Sequence, residues 1–463
     1  MNKKLSLGTR FVLLSIIVFF VFIALTGLIY RYTAIGIEQN IPVLTLLAGS
    51  YFFVQLILFL VIFKSHLPKW NFSWDNILTV SLFFLLISTV LSVNVSITAT
   101  VLFVVLAVLF AIVKKKHFQP HPLFYFMGAY YLFQYVGLLW SIDTAYGWRF
   151  VGRGLSFIVL PLAFGFYSVS EEKKNLLLRI FFRFLEVYLL MVIVAYFYQV
   201  EFHKVDFGVG FHLKKNYFCT PVPPGVDYYL LLGWAGYNHP TFVSFILTLM
   251  FGIGFYLWRN DNSPQTVKIS GFEMGFYGFM TAVVILLLQS RIGMIMFPFG
   301  IFLTLLYNLR KKKKLVLSVI VFSAFLVLSA GFYIYKNYRG YFYDRPREIQ
   351  TDIVLSFLKD HYLLGTGTGG MKVLIPWFPT AHNQFLGDLF HLGIPGLLLL
   401  LSLMGSSFYF ACKDKNFLLL YFLLIYFVMM QIEMPLSLQK GITYFTLFTG
   451  LLLKPRPFGK ETK

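Results

Sequence analysis

The chain has 463 residues, of which 58% are hydrophobic, 20% aromatic and 13% charged, and its formal net charge is +20. This composition excludes a soluble domain. Continuous apolar runs, each long enough to cross a ~30 Å hydrocarbon core, predict an all-α, polytopic membrane bundle. The excess Lys and Arg lie mostly between those runs, so the charge is a topology signal and gives no reason to expect a nucleic-acid partner.

In chain order, Met1-Asn2-Lys3-Lys4 and Arg10 precede an apolar run at 11–30. The run is long for a signal-peptide core and no small-residue cleavage site follows it, which predicts a first transmembrane helix. Further runs at 41–63, 77–92, 97–113, 122–140, 150–169, 176–199, 239–258, 273–289, 292–309, 315–335, 384–410, 416–432 and 441–453 follow. By length they give about fourteen spans, or about twelve if the short runs 77–92 and 441–453 do not cross.

Charge orients these spans. Lys3, Lys4 and Arg10; Lys64 and Lys69; Lys114 to Lys116; Lys173 and Lys174; Arg259 and Lys268; Arg310 to Lys314; Lys413 and Lys415; and the tail from Lys454 fall on alternate loops. The positive-inside rule makes those loops and both termini cytoplasmic. Cys219 and Cys412 then face opposite sides, so no disulfide is expected. Two outward loops, 200–238 and 336–383, are long and rich in Gly, Pro, Tyr and Trp. Function is expected there. The implied organisation is an N-terminal set of helices at 1–235, a core at 236–410 that includes the loop 336–383, and C-terminal helices with a basic tail at 411–463.

Ionisable residues at membrane depth are costly and are functional candidates. Arg149 and Arg153 open the run at 150–169, His239 opens 239–258, and His382 and Asp388 open 384–410. Arg291 lies between two apolar runs whose far ends are cytoplasmic, at the outer tip of a hairpin. Several cations on one face suit phosphate oxygens, which Arg binds bidentately, and a lipid-linked diphosphate is an anion found at that depth. The alternative for each Arg is a snorkelling interfacial anchor. A histidine at a helix start is commonly a cap, although imidazole also titrates near neutrality and serves as a base.

The loop before His382 has three parts. Asp344-Arg345-Pro346-Arg347 is a charged turn. Ile349, Ile353 and Phe357 recur at helical spacing and predict a helix on the membrane surface. Gly365-Thr366-Gly367-Thr368-Gly369-Gly370 lacks the βαβ setting of a dinucleotide motif; it reads either as a flexible turn or as a backbone nest for phosphate. No zinc, nucleotide or serine-hydrolase motif is present, so no metal and no cofactor is implied.

The segment Ala381-His382-Asn383-Gln384-Phe385-Leu386, closing with Leu392-Gly393-Ile394-Pro395-Gly396, resembles the signature of the O-antigen ligase and polymerase superfamily, a His-Asn pair, nine residues, then Gly-x-x-Gly. Gly236-Tyr237-Asn238-His239-Pro240, Gln289-Ser290-Arg291, Arg347 before an amphipathic helix, and Leu364-Gly365-Thr366-Gly367 resemble family segments in the same order. The resemblance covers 236–400. Ile292 and Ile295 depart from the family pattern after the Ser-Arg pair. His391 stands where an acidic residue is common, a role Asp388 could take over.

The resemblance implies a GT-C-like bundle with a large periplasmic loop of short helices. It implies a metal- and nucleotide-independent, inverting glycosyltransferase of the bacterial inner membrane with a periplasmic site. The donor is a glycan on undecaprenyl diphosphate. The acceptor is a sugar hydroxyl of lipid A–core in a ligase, the leading expectation, or a growing glycan in a polymerase. His382 is the implied base, Arg291, Arg153 and Arg347 the diphosphate ligands, and Asn383, Asp388, Arg149 and His239 supporting residues. Membrane lipids are the other expected partners. A transporter of lipid-linked sugars is a weaker alternative, since no related halves are visible, and a scaffold does not explain charges gathered at one face.

Overall fold

The computed structural model describes residues 7–33, 54–55, 57–58, 61–62, 73–91, 93–202, 239–260, 268–288, 290–312, 345–376 and 380–454. The expected span at 315–335, most of that at 41–63, most of the loop at 200–238 and Cys219 lie outside them. Every element among the described residues is helical. Five helices are long and apolar enough to cross a membrane, Val93–Val113, Thr144–Phe166 taken together, Pro240–Asn260, Arg291–Leu309 and Gln384–Lys413. Leu7–Val21, Trp74–Ser88, Gly271–Leu287 and Phe417–Met430 are shorter apolar helices. The chain is an integral membrane protein by this measure.

Two compact units form, one from Met1–Phe72 with Asn175–Phe297 and the other from Ser73–Lys174 with Pro298–Lys463. In chain order the helices are α1 (Leu7–Thr33), α2 (Trp74–Ser88), α3 (Val93–Val113), α4 (Pro122–Val136), α5 (Thr144–Arg153), α6 (Ser156–Phe166), α7 (Glu171–Phe202), α8 (Pro240–Asn260), α9 (Gly271–Leu287), α10 (Arg291–Leu309), α11 (Arg345–His361), α12 (Met371–Leu374), α13 (Gln384–Lys413), α14 (Phe417–Met430) and α15 (Gln439–Leu452).

In the first unit, α9 begins with a reciprocal cap: Ser270 Oγ accepts from Glu273 N–H and Glu273 Oε2 accepts from Ser270 N–H, which satisfies two otherwise orphaned donors. The other oxygen of Glu273 accepts from Arg183 Nε at 2.9 Å, tying α7 to α9 through a pair that is 2% and 0% exposed. Stacked rings of Phe182 and Tyr277, and Tyr277 Oη donating to Leu247 O at 3.2 Å, join α7, α9 and α8.

In the second unit, short polar residues set the helix starts: Ser73 caps α2, His121 caps α4 ahead of Pro122, and Asn416 caps α14. The expected span at 150–169 starts differently. The chain breaks at Gly154-Leu155, so Arg149 and Arg153 lie on the separate helix α5, which buries Gly147, Phe150 and Val151 and exposes Trp148 and Arg149. Its N-cap is Asp143, which accepts from Tyr146 N–H at 2.9 Å. The surface helix expected at 349–357 is α11. Its Val354 and Leu358 pack on Met371, Ala381, Phe390 and Met434, while Ile349 and Leu355 stay exposed.

Candidate functional site

The site in the second unit is organised by the start of α13. Asn383 caps that helix, with Oδ1 accepting from Leu386 N–H at 3.0 Å and Nδ2 donating to Gln431 O at 3.2 Å. Two neighbours repeat the pattern. Ala381 N–H donates to Met434 Sδ, and Leu436 N–H donates to Gln384 Oε1 at 2.8 Å. The segment 431–436, between α14 and α15, is therefore laid along 381–384. Between these anchors His382 adopts a left-handed backbone, φ 50°, with its N–H on Thr380 Oγ1. For a residue with a Cβ that conformation costs about 1–2 kcal/mol, and such strain concentrates where a side chain must be aimed.

The aim is towards a carboxylate. His382 Nδ1 lies 3.6 Å from Glu433 Oε2. The second oxygen of Glu433 accepts from an Arg347 terminal nitrogen at 3.2 Å, and the other terminal nitrogen of Arg347 donates to Ile432 O at 3.2 Å. Glu433 and His382 have side chains only 10% and 12% exposed, while Arg347 is 32% exposed. One carboxylate thus serves an imidazole and a guanidinium at once. A cavity of about 580 Å³ opens beside them, lined by Arg347, Thr351, His382, Asn383, Leu386 and Ile432 among others. Its walls are largely apolar with a few convergent polar groups, as small-molecule sites are.

Asp388 is placed elsewhere. It is 1% exposed and accepts from Tyr130 Oη at 2.7 Å and from Gln384 Nε2 at 3.2 Å. Gln384 in turn holds Leu436 N–H. Asp388 therefore fixes α13 to α4 and, through Gln384, steadies the segment that carries Glu433. The carboxylate facing His382 is Glu433, which the sequence reading did not single out. Its signal was present: it closes the run at 416–432 as a charged residue at membrane depth, the criterion that selected the arginines.

The glycine signature has a packing role. Gly393, at φ 63°, kinks α13, and a Cβ there would overlap Leu363 O. Ile394 N–H donates to Tyr362 O, and Thr366 N–H to Phe390 O. The Gly365–Gly370 turn is thereby wedged between α13 and the start of α5. Thr366 and Thr368 are 1% and 0% exposed, Thr368 N–H donates to Gly137 O, and Gly370 N–H to Gly367 O. A flexible turn and an open phosphate nest both give way to a buried structural wedge whose amides at these positions are spent on protein carbonyls.

The remaining candidates fall into other groups. Arg153 lies over the Tyr146 ring at 5.6 Å, and Lys372 over the same ring at 5.1 Å. Arg149 is exposed on the same helix. His239 and Arg291 belong to the first unit. His239 caps α8, with Nδ1 accepting from Thr241 N–H at 3.4 Å. Arg291 opens α10 after the hairpin tip, half-buried next to Ser290, whose Oγ accepts from Gly293 N–H. Among the described residues, no group of three or more His, Cys, Asp and Glu side chains is placed to hold a metal ion.

Residues 276–401 match the family model described as O-antigen ligase. Over that stretch the chain is similar to the O-antigen ligase family. The matched stretch contains Arg291, α11 with Arg347, the glycine wedge and the His382-Asn383 start of α13, so Arg347, Thr351, His382 and Asn383 of the cavity wall fall within it. Glu433 lies beyond its C-terminal limit, and so does the whole 431–436 segment that positions it. No curated protein matched the chain at a meaningful level.

Proposed function

We propose that this protein is a membrane glycosyltransferase that moves a glycan from undecaprenyl diphosphate to a sugar hydroxyl, with lipid A–core as acceptor. The observation that carries this reading is an apolar-walled cavity lined by His382 and Arg347, both of which face the carboxylate of Glu433, in and beside the stretch similar to the O-antigen ligase family. The proposed setting is the bacterial inner membrane, with about fourteen spans, a GT-C-like arrangement and the cavity on the periplasmic side.

The chemistry follows from the groups present. The diphosphate is already a good leaving group, so the protein must supply a base, an anion site and exclusion of water. With Nδ1 towards Glu433, the free lone pair of His382 is on Nε2, which takes the acceptor O–H proton. The acceptor oxygen bonds to the anomeric carbon as the bond from that carbon to the diphosphate oxygen breaks, inverting the centre. The electron pair leaves with the diphosphate, where Arg347 offsets the developing charge. The His382–Glu433 separation is longer than a hydrogen bond; such contacts tighten when substrate closes a site. Arg291 is proposed as a phosphate ligand from its place in the Gln289-Ser290-Arg291 motif alone.

The test is deletion of the gene in its host, with complementation by wild type or His382→Ala. Bare lipid A–core with long polymer accumulating on the carrier lipid supports ligation. Lipid A–core bearing single repeats and no ladder supports polymerisation at the same site. Full complementation by His382→Ala would remove the base assignment.

A further inference from the structure

A second charged cluster lies on α5, outside the His382 cavity. Tyr146, Arg149 and Arg153 are spaced i, i+3 and i+7 and share one helical face. Arg153 and Lys372 both lie over the Tyr146 ring, at 5.6 and 5.1 Å. Among the described residues, none of Arg149, Arg153 and Lys372 makes an ion pair. The carboxylate nearest in sequence, Asp143, is spent on capping α5.

The juxtaposition is held rigidly. Lys372 comes from a segment far along the chain, brought to α5 by the glycine wedge. Ser141 Oγ donates to Thr368 O at 2.7 Å, Ile142 N–H to Thr366 O at 3.0 Å, and Trp140 Nε1 to Leu364 O at 2.9 Å. Arg153 and Lys372, brought to one ring without a carboxylate, repel one another, and Arg149 adds a third positive charge to the same helical face. The two cation–π contacts offset only part of this, so the cluster is poised for an external anion. The surrounding surface is apolar and aromatic, with Leu139 85%, Trp148 55%, Ile142 52% and Leu155 52% exposed. Such a belt marks the membrane interface. The anion that fits is therefore a lipid phosphate.

We infer that Arg149, Arg153 and Lys372 around Tyr146 bind the phosphate of a phosphorylated glycolipid acceptor and hold it while its sugar reaches the His382 cavity. This rests on the transferase reading above. A reaction that joins two lipid-anchored molecules needs two anchoring points, and the cavity with Arg347 supplies one. Arg153 moves by this inference from the donor to the acceptor.

The test uses the full-length protein in phosphatidylcholine nanodiscs. Binding of a bisphosphorylated glycolipid is measured for wild type and for the combined Arg149→Gln, Arg153→Gln and Lys372→Gln variant, and for wild type with the enzymatically dephosphorylated glycolipid. Affinity is expected to fall about tenfold or more in both comparisons, with undecaprenyl diphosphate binding unchanged in the variant. The lipid comparison on wild type needs no variant to fold. Equal binding with and without phosphate overturns the inference. So does an equal loss of carrier-diphosphate binding, which makes the cluster a donor site, or equal competition by phosphatidylglycerol, which makes it a general anionic surface. Phosphate-dependent binding by a wild-type protein that transfers no glycan counts against the transferase reading and leaves the phosphate site standing.

Discussion

Nδ1 of His382 lies 3.6 Å from Oε2 of Glu433, although the whole of α13 and α14 separates them in the chain. The approach is imposed by backbone. Asn383 on Gln431, Ala381 on Met434 and Gln384 on Leu436 fix the register of two segments, and Glu433 is the carboxylate that register delivers. Glu433 also holds Arg347. Base and phosphate ligand are therefore coupled through a single side chain, and an anion that draws Arg347 away would leave the carboxylate to the imidazole.

Glu433→Gln should lower kcat for transfer by about a hundredfold, the lower end of what a correctly held general base contributes. Glu433→Asp should recover part of the loss. A Gln variant with wild-type kcat would show that the carboxylate does not act through His382.

Arg347→Lys should act mainly on the donor. Lys cannot reproduce the fork that reaches both Ile432 O and Glu433 Oε1. A charge-assisted hydrogen bond is worth about 1.5–3 kcal/mol, so the donor KM is expected to rise about tenfold or more. Steady-state kinetics with varied lipid diphosphate decide it; an unchanged KM would mean that Arg347 is purely structural.

Gly393→Ala should destabilise the fold more than an ordinary helix substitution. The residue sits at φ 63°, and the added Cβ would meet Leu363 O. The backbone strain alone costs about 1–3 kcal/mol, and relieving the overlap pushes the 362–370 wedge away from α13. A lower melting temperature in detergent, together with weaker protection of the Thr366 amide from hydrogen exchange, is the expected outcome.

In the first unit, Arg183→Ala should be strongly destabilising because it leaves Glu273 buried without its guanidinium. Breaking a buried pair costs about 3–5 kcal/mol, whereas replacing both members with apolar residues of similar volume is close to neutral. Arg183→Met combined with Glu273→Leu should therefore be more stable than Arg183→Ala alone. A Glu273→Leu change also removes one half of the α9 cap, which takes a modest amount from that recovery.

What the sequence determined by itself was the kind of protein and the place to look. Apolar runs predict Val93–Val113, Pro240–Asn260, Arg291–Leu309 and Gln384–Lys413 because a bilayer forces every backbone polar group into a helix, and hydropathy reads that demand locally. The His382-Asn383 pair and the Gly393–Gly396 spacing were legible for the same reason: a cap and a kink are short-range features. Tertiary structure alone decided the partners. Glu433 reaches His382, Lys372 reaches Tyr146, and Asp388 turns to Tyr130 through contacts between segments distant in the chain, and no local periodicity encodes which carboxylate will face which imidazole. The glycine-rich turn makes the same point, since nothing in its composition separates a mobile loop from a buried wedge until the carbonyls that take its amides are in place.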